Sequence, residues 1–527
     1  MQITGYNSVR TVNCGDCVKK RGWVPVKYLL GVDFGGGSSK ATLISENGEK
    51  ICSATCEYPM YFPHVGWAEQ NPEDIYRSLI TNVHTIFEKS GILPGDITAV
   101  SLDAGTHIAV LLDEYDNIIR NAIYWSDSRS VKQARELAPY NDKIMGLSCN
   151  VPSPVWTLPQ LIWVRENAPE DFKRIRRILF LKDYIRYRLT KTFVTDSIEA
   201  MGAMFMDVGK GQWSEWLCSL CGITTDMLPD IVPPDSIVGF VSEEAARETG
   251  LSPETLVAAG ATDTVMEVYA SGAVKPGQAT LKLATAGRIC GITDKVYTSS
   301  LLVSYRHIIP GLWYPGTATK TCAASLRWYR DVLGTQEMSV AKELDVDVYK
   351  LIDEAAAAVP AGADGLLFHP YLQGEITPYL DNDLRASFTG ASSFHTKGHF
   401  NRAVMEGVAY SLHDSMDALK SLGIEITDTV RIIGGGAKSA LWRQIVADTL
   451  DIPMISVLTD DSSIGSAMLA GVSSGVFKSF EHSVEVCTKM GAMVYPNREN
   501  RAVYDRGFEF YKRIHDALAP IYKDMAK

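Results

Sequence analysis

Apolar positions recur along this chain in two rhythms. Tyr28–Phe34 and Lys40–Ser45 are short apolar runs separated by Gly35, Gly36 and Gly37, and Ile51–Tyr58 follows across the Glu46–Asn47–Gly48 turn. Runs of that length bounded by glycine and asparagine predict a meander of strands. The period then changes, with Ile75, Leu79, Val83 and Ile86 at helical spacing. Asn71 supplies a cap, Pro72 suits the first helical position, Glu73 and Asp74 favour the positive end of the dipole, and Gly91 stops the helix. Further strands are expected at Ile97–Leu102 and Ile108–Leu112, framing a turn at Ala104–His107.

The same grammar restarts near the midpoint. Gln278–Ala284 reads as a strand, Thr285–Ala286–Gly287 as a tight turn and Arg288–Thr293 as the returning strand. This weak internal repeat predicts two domains of one architecture, and alternating helical and strand patterns make the class α/β. The expected division is an extension over 1–27, an N-terminal domain over 28–272 and a C-terminal domain over 273–527. The Gly- and Pro-punctuated segment Ala270–Gly277 forms the boundary and the expected hinge.

Bulk properties narrow the function. A length of 527 residues exceeds one ordinary core. The net charge of −11 argues against nucleic acid or an acidic membrane surface as partner. No apolar run reaches the ~18 residues of a transmembrane helix, and residues 1–27 lack the apolar stretch of a secretory signal. The 10 cysteines are scattered, which fits a reducing cytoplasm better than a disulfide framework. Two CxxC pairs, Cys14/Cys17 and Cys218/Cys221, have the composition of a four-thiolate zinc site. They stand about 200 residues apart in sequence and read more simply as incidental thiols.

Three segments carry candidate chemistry. Gly31–Lys40 places Asp33 at a strand end before three glycines. It is neither a Walker A loop nor a dinucleotide fingerprint, because a strand follows the glycines. Such a hairpin tip lets backbone N–H groups approach phosphate, and Asp33 can hold magnesium; a plain glycine hairpin with a solvated Asp is the competing reading. Val257–Thr264 ends an apolar strand at Gly260 and presents Asp263, suited to a general base or, more simply, to a helix cap. Val430–Ser439 runs from a strand through Gly434, Gly435 and Gly436 into a helix over Ala440–Leu450. Bare backbone there accommodates a flat adenine ring, and a structural turn is an equal alternative.

Taken in order, these three segments resemble the FGGY carbohydrate kinases, a branch of the actin-like ATPases. The resemblance continues through Gly66–Pro72, Trp125–Arg129, Lys182–Tyr184, Pro370–Pro378 and Ala386–Glu406, so it covers nearly the whole chain from about residue 28. It implies two actin-like, ribonuclease H-like domains around a central cleft, with ATP and Mg2+ as cofactors and a small sugar as acceptor; a homodimer is compatible with it. By resemblance Asp263 is the base and Asp33 the magnesium-associated carboxylate. Gly35, Gly36, Gly37 and Ser38 match the first phosphate loop, Thr285 and Gly287 the second, and Gly435, Gly436 and Ser439 the adenosine motif. Thr106, His107, Trp125, Asp263 and Thr264 fall at the acceptor. For Trp125 a core position, and for His107 a loop histidine bonded to backbone, are the alternatives.

The pattern stands nearest to the branch acting on D-xylulose, which implies D-xylulose as acceptor and D-xylulose 5-phosphate as product. Departures leave other acceptors open. That branch usually has Gln-Met-His at Gly105–His107, Asn at Thr264 and Arg at Ile376, and the phosphate loops differ at Gly36, Gly37, Ala284 and Ala286. Another pentulose, a hexulose, a polyol, a linear signalling ketose or a catalytically silent sugar or nucleotide sensor are the alternatives.

Overall fold

A computed structural model describes residues 26–526. Most of the extension, with Cys14 and Cys17, therefore lies outside the described residues. The first sheet begins with β1 (Tyr28–Phe34), β2 (Ser38–Ser45) and β3 (Lys50–Glu57), an antiparallel meander. The helix α1 (Pro72–Ser90) follows, with Asn71 accepting from the Glu73 N–H and Gly91 in the left-handed conformation that ends it. Then come β4 (Ile97–Ala104), β5 (Ile237–Phe240) and β6 (Leu256–Ala258). The sheet order is β5-β6-β4-β1-β2-β3, with β6, β4 and β1 parallel. Leu30, Val32, Leu43, Val100 and Leu102 are buried in its core.

The expected repeat is present as topology. Beyond α2 (Asp263–Ala270), the strands β7 (Ala279–Leu283), β8 (Gly287–Gly291) and β9 (Gly316–Thr319) form a second antiparallel meander. They are joined by β10 (Val430–Ile433), β11 (Met454–Val457) and β12 (Met490–Val494), giving the order β9-β8-β7-β10-β11-β12. In both sheets the first meander strand pairs in parallel with a later strand, a second parallel strand lies outside that, and an antiparallel strand closes the edge. Two sheets of identical plan, each with its helices, are the architecture of actin-like ATPases.

Two helices join the halves. Between β11 and β12, α4 (Ser462–Ser473) returns to the first sheet, where Ser463 meets Thr42 at 2.7 Å and Ser466 donates to Asp103 at 2.5 Å. Lys40 on β2 pairs with Asp461 at its start. Gly31 on β1 has no room for a Cβ against the α4 backbone, and Gly465 on α4 has none against Met266 of α2. Glycine at these positions lets sheet, α2 and α4 approach backbone to backbone.

One sequence expectation is redrawn. The strand expected at Ile108–Leu112 forms over Ala109–Leu112, but it pairs with Arg177–Phe180 outside the main sheet. Short apolar runs declare a strand without declaring its partner.

Candidate active site

Three strand ends and one helix start converge on the cleft between the halves. Asp33 stands one residue before the end of β1 and Asp103 lies opposite it in the parallel register of β4, so both carboxyls leave the same sheet face. Burial raises Asp33 to about 6, with Asp103 as hydrogen-bond partner and Asp263 adding repulsion. Asp103 is wholly buried; burial and then the Asp33 charge push it well above the carboxylate range. Its Oδ2 accepts from Ser466, and its side chain also bonds Asp33.

Asp263 owes its position to Gly260. That glycine holds φ +79°, and a Cβ there would run into the Leu102 carbonyl. The chain can thus leave β6, pair again with β4 at Ala261–Thr262 and enter α2 at its first residue. Thr262 is the cap, not Asp263. The Asp263 carboxylate accepts from its own neighbour, Thr264 N at 2.6 Å and Thr264 Oγ1 at 3.1 Å. Burial raises its pKa, and Lys282, Thr264 and Arg288 hold the rise down. One turn on, Glu267 binds Lys282 of β7 at 2.6 Å.

The first glycine turn is braced from behind. Tyr58 donates to the Gly35 carbonyl at 2.6 Å, and Gln70 donates to the Gly35 and Gly36 carbonyls, each at 3.0 Å. The Gly36 and Gly37 N–H groups make no hydrogen bond among the described residues, which leaves two backbone donors unspent in this turn. Ser38 begins β2 beside them.

The second turn behaves differently. The carbonyls of Ala284 and Thr285 accept from Cys322, Ala323 and Ala324 at the start of the following helix, and Thr285 itself is exposed. Gly287 is buried, its N–H donates to Thr319 Oγ1 at 3.1 Å, and a Cβ there would be 2.7 Å from that oxygen. Close packing accounts for this glycine.

Thr285, Gly435, Gly436 and Ser439 line one cavity of about 670 Å³, together with Ala324, Arg327, Tyr349 and Asp353. That volume suits a nucleoside. Gly435 is exposed with open space around it, whereas Gly436 approaches Leu283 too closely for a side chain. Ser439 caps the helix α3 (Ala440–Leu450) by accepting from Trp442 N, and it also bonds Asp353. The Gly434 N–H is held by Asp460.

On the other side of Asp263, His107 is buried at φ +54°, with its N–H donating to Glu199 and its carbonyl accepting from Thr157 at 2.5 Å. Burial lowers its pKa to about 3, so the imidazole is neutral. Its Nδ1 has no partner among the described residues. Thr106 bonds Tyr305, and Gly202 leaves room for Thr106 and His107. Trp125 is 43% exposed, which excludes the core reading; it lies beside Gly105 and its ring centroid is 5.5 Å from that of Tyr124. The Asp263 charge acts on Tyr305, which bonds Thr106, and on Tyr124, which bonds Trp125, so two tyrosines link Asp263 to the residues expected at the acceptor. Asp103, Glu199, Tyr305, Asp353 and the Glu267–Lys282 pair were missed. Only Asp103 carried a signal, an Asp at a strand end like Asp33.

The thiols of Cys218 and Cys221 are buried and pushed up to about 12, which keeps them protonated. Among the described residues no group of three or more His, Cys, Asp or Glu has the geometry of a metal site, and no helix is long and apolar enough to cross a membrane.

A cleft between paired actin-like domains, with a nucleoside-sized cavity beside a row of carboxyls, defines a nucleotide-dependent enzyme class, and comparison with known proteins narrows it. The N-terminal domain pattern of the FGGY family of carbohydrate kinases matches residues 28–269, and the C-terminal domain pattern matches residues 291–474. Xylulose kinase of Bacillus subtilis is 32% identical over 495 residues, covering 93% of this chain and 97% of that protein. Gluconokinase of the same organism is 31% identical over 459 residues, 86% and 89% of the two chains. The crystal structure of xylulose kinase from Rhodospirillum rubrum, 27% identical, superposes with a TM-score of 0.87 over 94% of this chain and all of that one. This chain belongs to the FGGY family of carbohydrate kinases and is an ATP-dependent sugar kinase.

Proposed function

We propose that the protein phosphorylates a small ketose, with D-xylulose the leading acceptor and D-xylulose 5-phosphate the product. The observation that supports this is the surroundings of Asp263, whose charge acts on Asp33, on Tyr124, which lies against Gly36, and on Tyr305, which bonds Thr106. The near full-length similarity to a xylulose kinase supports the particular acceptor. A gluconokinase at nearly equal identity supports a second reading, an acceptor that is a sugar acid.

Asp263 removes the proton of the attacking hydroxyl while that oxygen bonds to the γ-phosphorus and ADP departs. Positioned proton removal is worth roughly 10²–10⁴-fold. Its raised pKa makes it a better base than an exposed carboxylate, and Thr264 fixes its orientation. Gly35, Gly36, Gly37 and Ser38 offer backbone donors to the phosphates, joined by Thr285 at the opposite turn. Gly287 shapes that turn. Gly435 and Gly436 give the adenine a bare surface, with Ser439 ordering the helix beside it. Trp125 covers the sugar and Thr106, His107 and Thr264 meet its hydroxyls.

Mg2+ fits beside Asp33 and Asp103, two in-register carboxyls close enough to hydrogen-bond each other and so to share a cation. When bound, the ion neutralises charge on the transferring phosphoryl group. Residues 28–272 supply the base, the first phosphate turn and most of the acceptor contacts, and residues 273–527 the second phosphate turn and the adenosine site. An ADP-release assay over pentuloses, hexuloses, polyols and sugar acids tests the proposal. Turnover concentrated on D-xylulose is expected; turnover confined to a polyol or a sugar acid would replace the ketose reading.

A further inference from the structure

Several charged side chains around the cleft are answered by neighbours: Lys40 by Asp461, Lys282 by Glu267, Lys182 by Asp183 and Asp196. Arg288 is not. It stands on β8 in register with Lys282 of β7, so its side chain leaves the hairpin on the face that Lys282 turns toward α2. Its side chain bonds the Cys290 thiol, but among the described residues it has no carboxylate in ion-pair contact, and its Nη2 is buried without a hydrogen-bond partner.

Its surroundings are those of the acceptor pocket. The guanidinium lies over the Tyr314 ring at 5.8 Å, and Tyr314 stacks on Tyr305 at 5.7 Å. Tyr305 in turn bonds Thr106. The Arg288 charge acts on both Asp263 and Tyr305. Gly316 sits against Nε, where a Cβ would be 3.4 Å away. Arg288 therefore closes a ring of groups that also contains Asp263, Tyr305 and Thr106.

A guanidinium only donates, and leaving a donor buried and unpaired is costly. What answers Arg288 must therefore present an oxygen that accepts. The planar fork matches a carboxylate best and meets a ketone oxygen with one arm. Resting on the reading of this pocket as the acceptor site, we infer that Arg288 is a specificity-determining residue that binds a carbonyl or carboxylate oxygen of the acceptor. It favours oxidised acceptors, ketoses and sugar acids, over fully reduced polyols.

The test is calorimetric titration of the full chain with D-xylulose, D-gluconate and xylitol, followed by Arg288→Leu and Arg288→Lys. We expect the wild type to bind at least one of the two oxidised probes more tightly than xylitol. Arg288→Leu should weaken that probe about tenfold or more, as loss of a charged donor does, while ATP affinity stays within about twofold and Arg288→Lys recovers part of the loss. Arg288→Gln carries the same test should the leucine variant fail to fold. Equal affinity in wild type and variant, or no binding of either oxidised probe by the wild type, overturns the inference. D-gluconate bound through Arg288 with D-xylulose neither bound nor phosphorylated would sink the ketose reading and leave the role of Arg288 standing.

Discussion

Gly465→Ala offers a direct test of how the two halves are held in register. In an open helix this exchange stabilises by about 1 kcal/mol, because alanine loses less backbone freedom on folding. At Gly465 the new methyl would lie 2.9 Å from the Met266 carbonyl carbon and 3.1 Å from its Cα, with the carbonyl oxygen closer still. The obstacle is backbone, so no rotamer change relieves it. Ordinary contact at 3.4 Å requires α2 and α4 to separate by about 1 Å, and overpacking of this kind costs about 1–3 kcal/mol, which exceeds the helical gain. Asp263 begins α2, whereas Ser466, the partner of Asp103, sits on α4. Separating the helices shifts the base relative to the carboxyl pair, and misplacement by about 1 Å can cost ~10²-fold in rate. The assay is kcat on the acceptor giving the highest turnover, with thermal melting and ATP binding as controls. The expected outcome is a folded, ATP-binding protein with kcat reduced about tenfold to a hundredfold. A wild-type kcat at wild-type melting temperature would refute the reasoning.

Three further outcomes are expected. Lys182 is wholly buried between Asp183 at 2.5 Å and Asp196 at 2.6 Å; Asp183 also pairs with Arg186, so Lys182→Met leaves the buried Asp196 without a cation and should cost about 3–5 kcal/mol in urea unfolding, and a change within experimental error would show that the network repacks. Burial raises Glu375 to about 7 from 4.5, against donors from Lys320, Ile376 and Ser411. The native carboxyl then holds its proton where the unfolded one has lost it. Its contribution is fully present below about 4.5 and falls as pH rises through about 7, by up to ~3 kcal/mol. Glu375→Gln should flatten that part of the melting-temperature profile, and an unchanged profile would place its cause elsewhere. Finally, the cleft is expected to close about residues 270–277 when acceptor and a non-hydrolysable ATP analogue bind, excluding water as a rival acceptor. Superimposable scattering curves with and without both ligands would contradict closure.

Much of this was legible in the sequence where the signal is local. Asn71, Pro72 and Gly91 delimit α1 because capping and left-handed termination depend on a few neighbouring residues. The repeated strand-turn-strand unit foretold two like sheets, since a hairpin tip is written in small residues. Pairing across long separations was not legible, as Ala109–Leu112 with Arg177–Phe180 shows. The site followed the same division. Candidates in glycine turns and at strand ends could be named from the sequence, whereas Tyr305, Glu199 and Asp353 come from segments without local punctuation. Nor did sequence separate contact from support within a motif. In Gly66–Pro72 and Trp125–Arg129, Arg129 lies over the Trp67 ring at 3.8 Å and bonds Asp127 and Glu69 at 2.8 Å, a buried brace behind the exposed Trp125. Gly287, placed in a phosphate loop by resemblance, is explained structurally by the close approach of Thr319.

The most direct test of the central claim compares wild type, Asp263→Asn and Asp263→Ala in acceptor-dependent ADP release, with the phosphorylated acceptor quantified in parallel. Both variants should still bind ATP and acceptor while kcat falls by roughly 10²–10⁴-fold. Acceptor-dependent turnover near the wild-type rate in either variant would contradict Asp263 as the base around which the cleft is built.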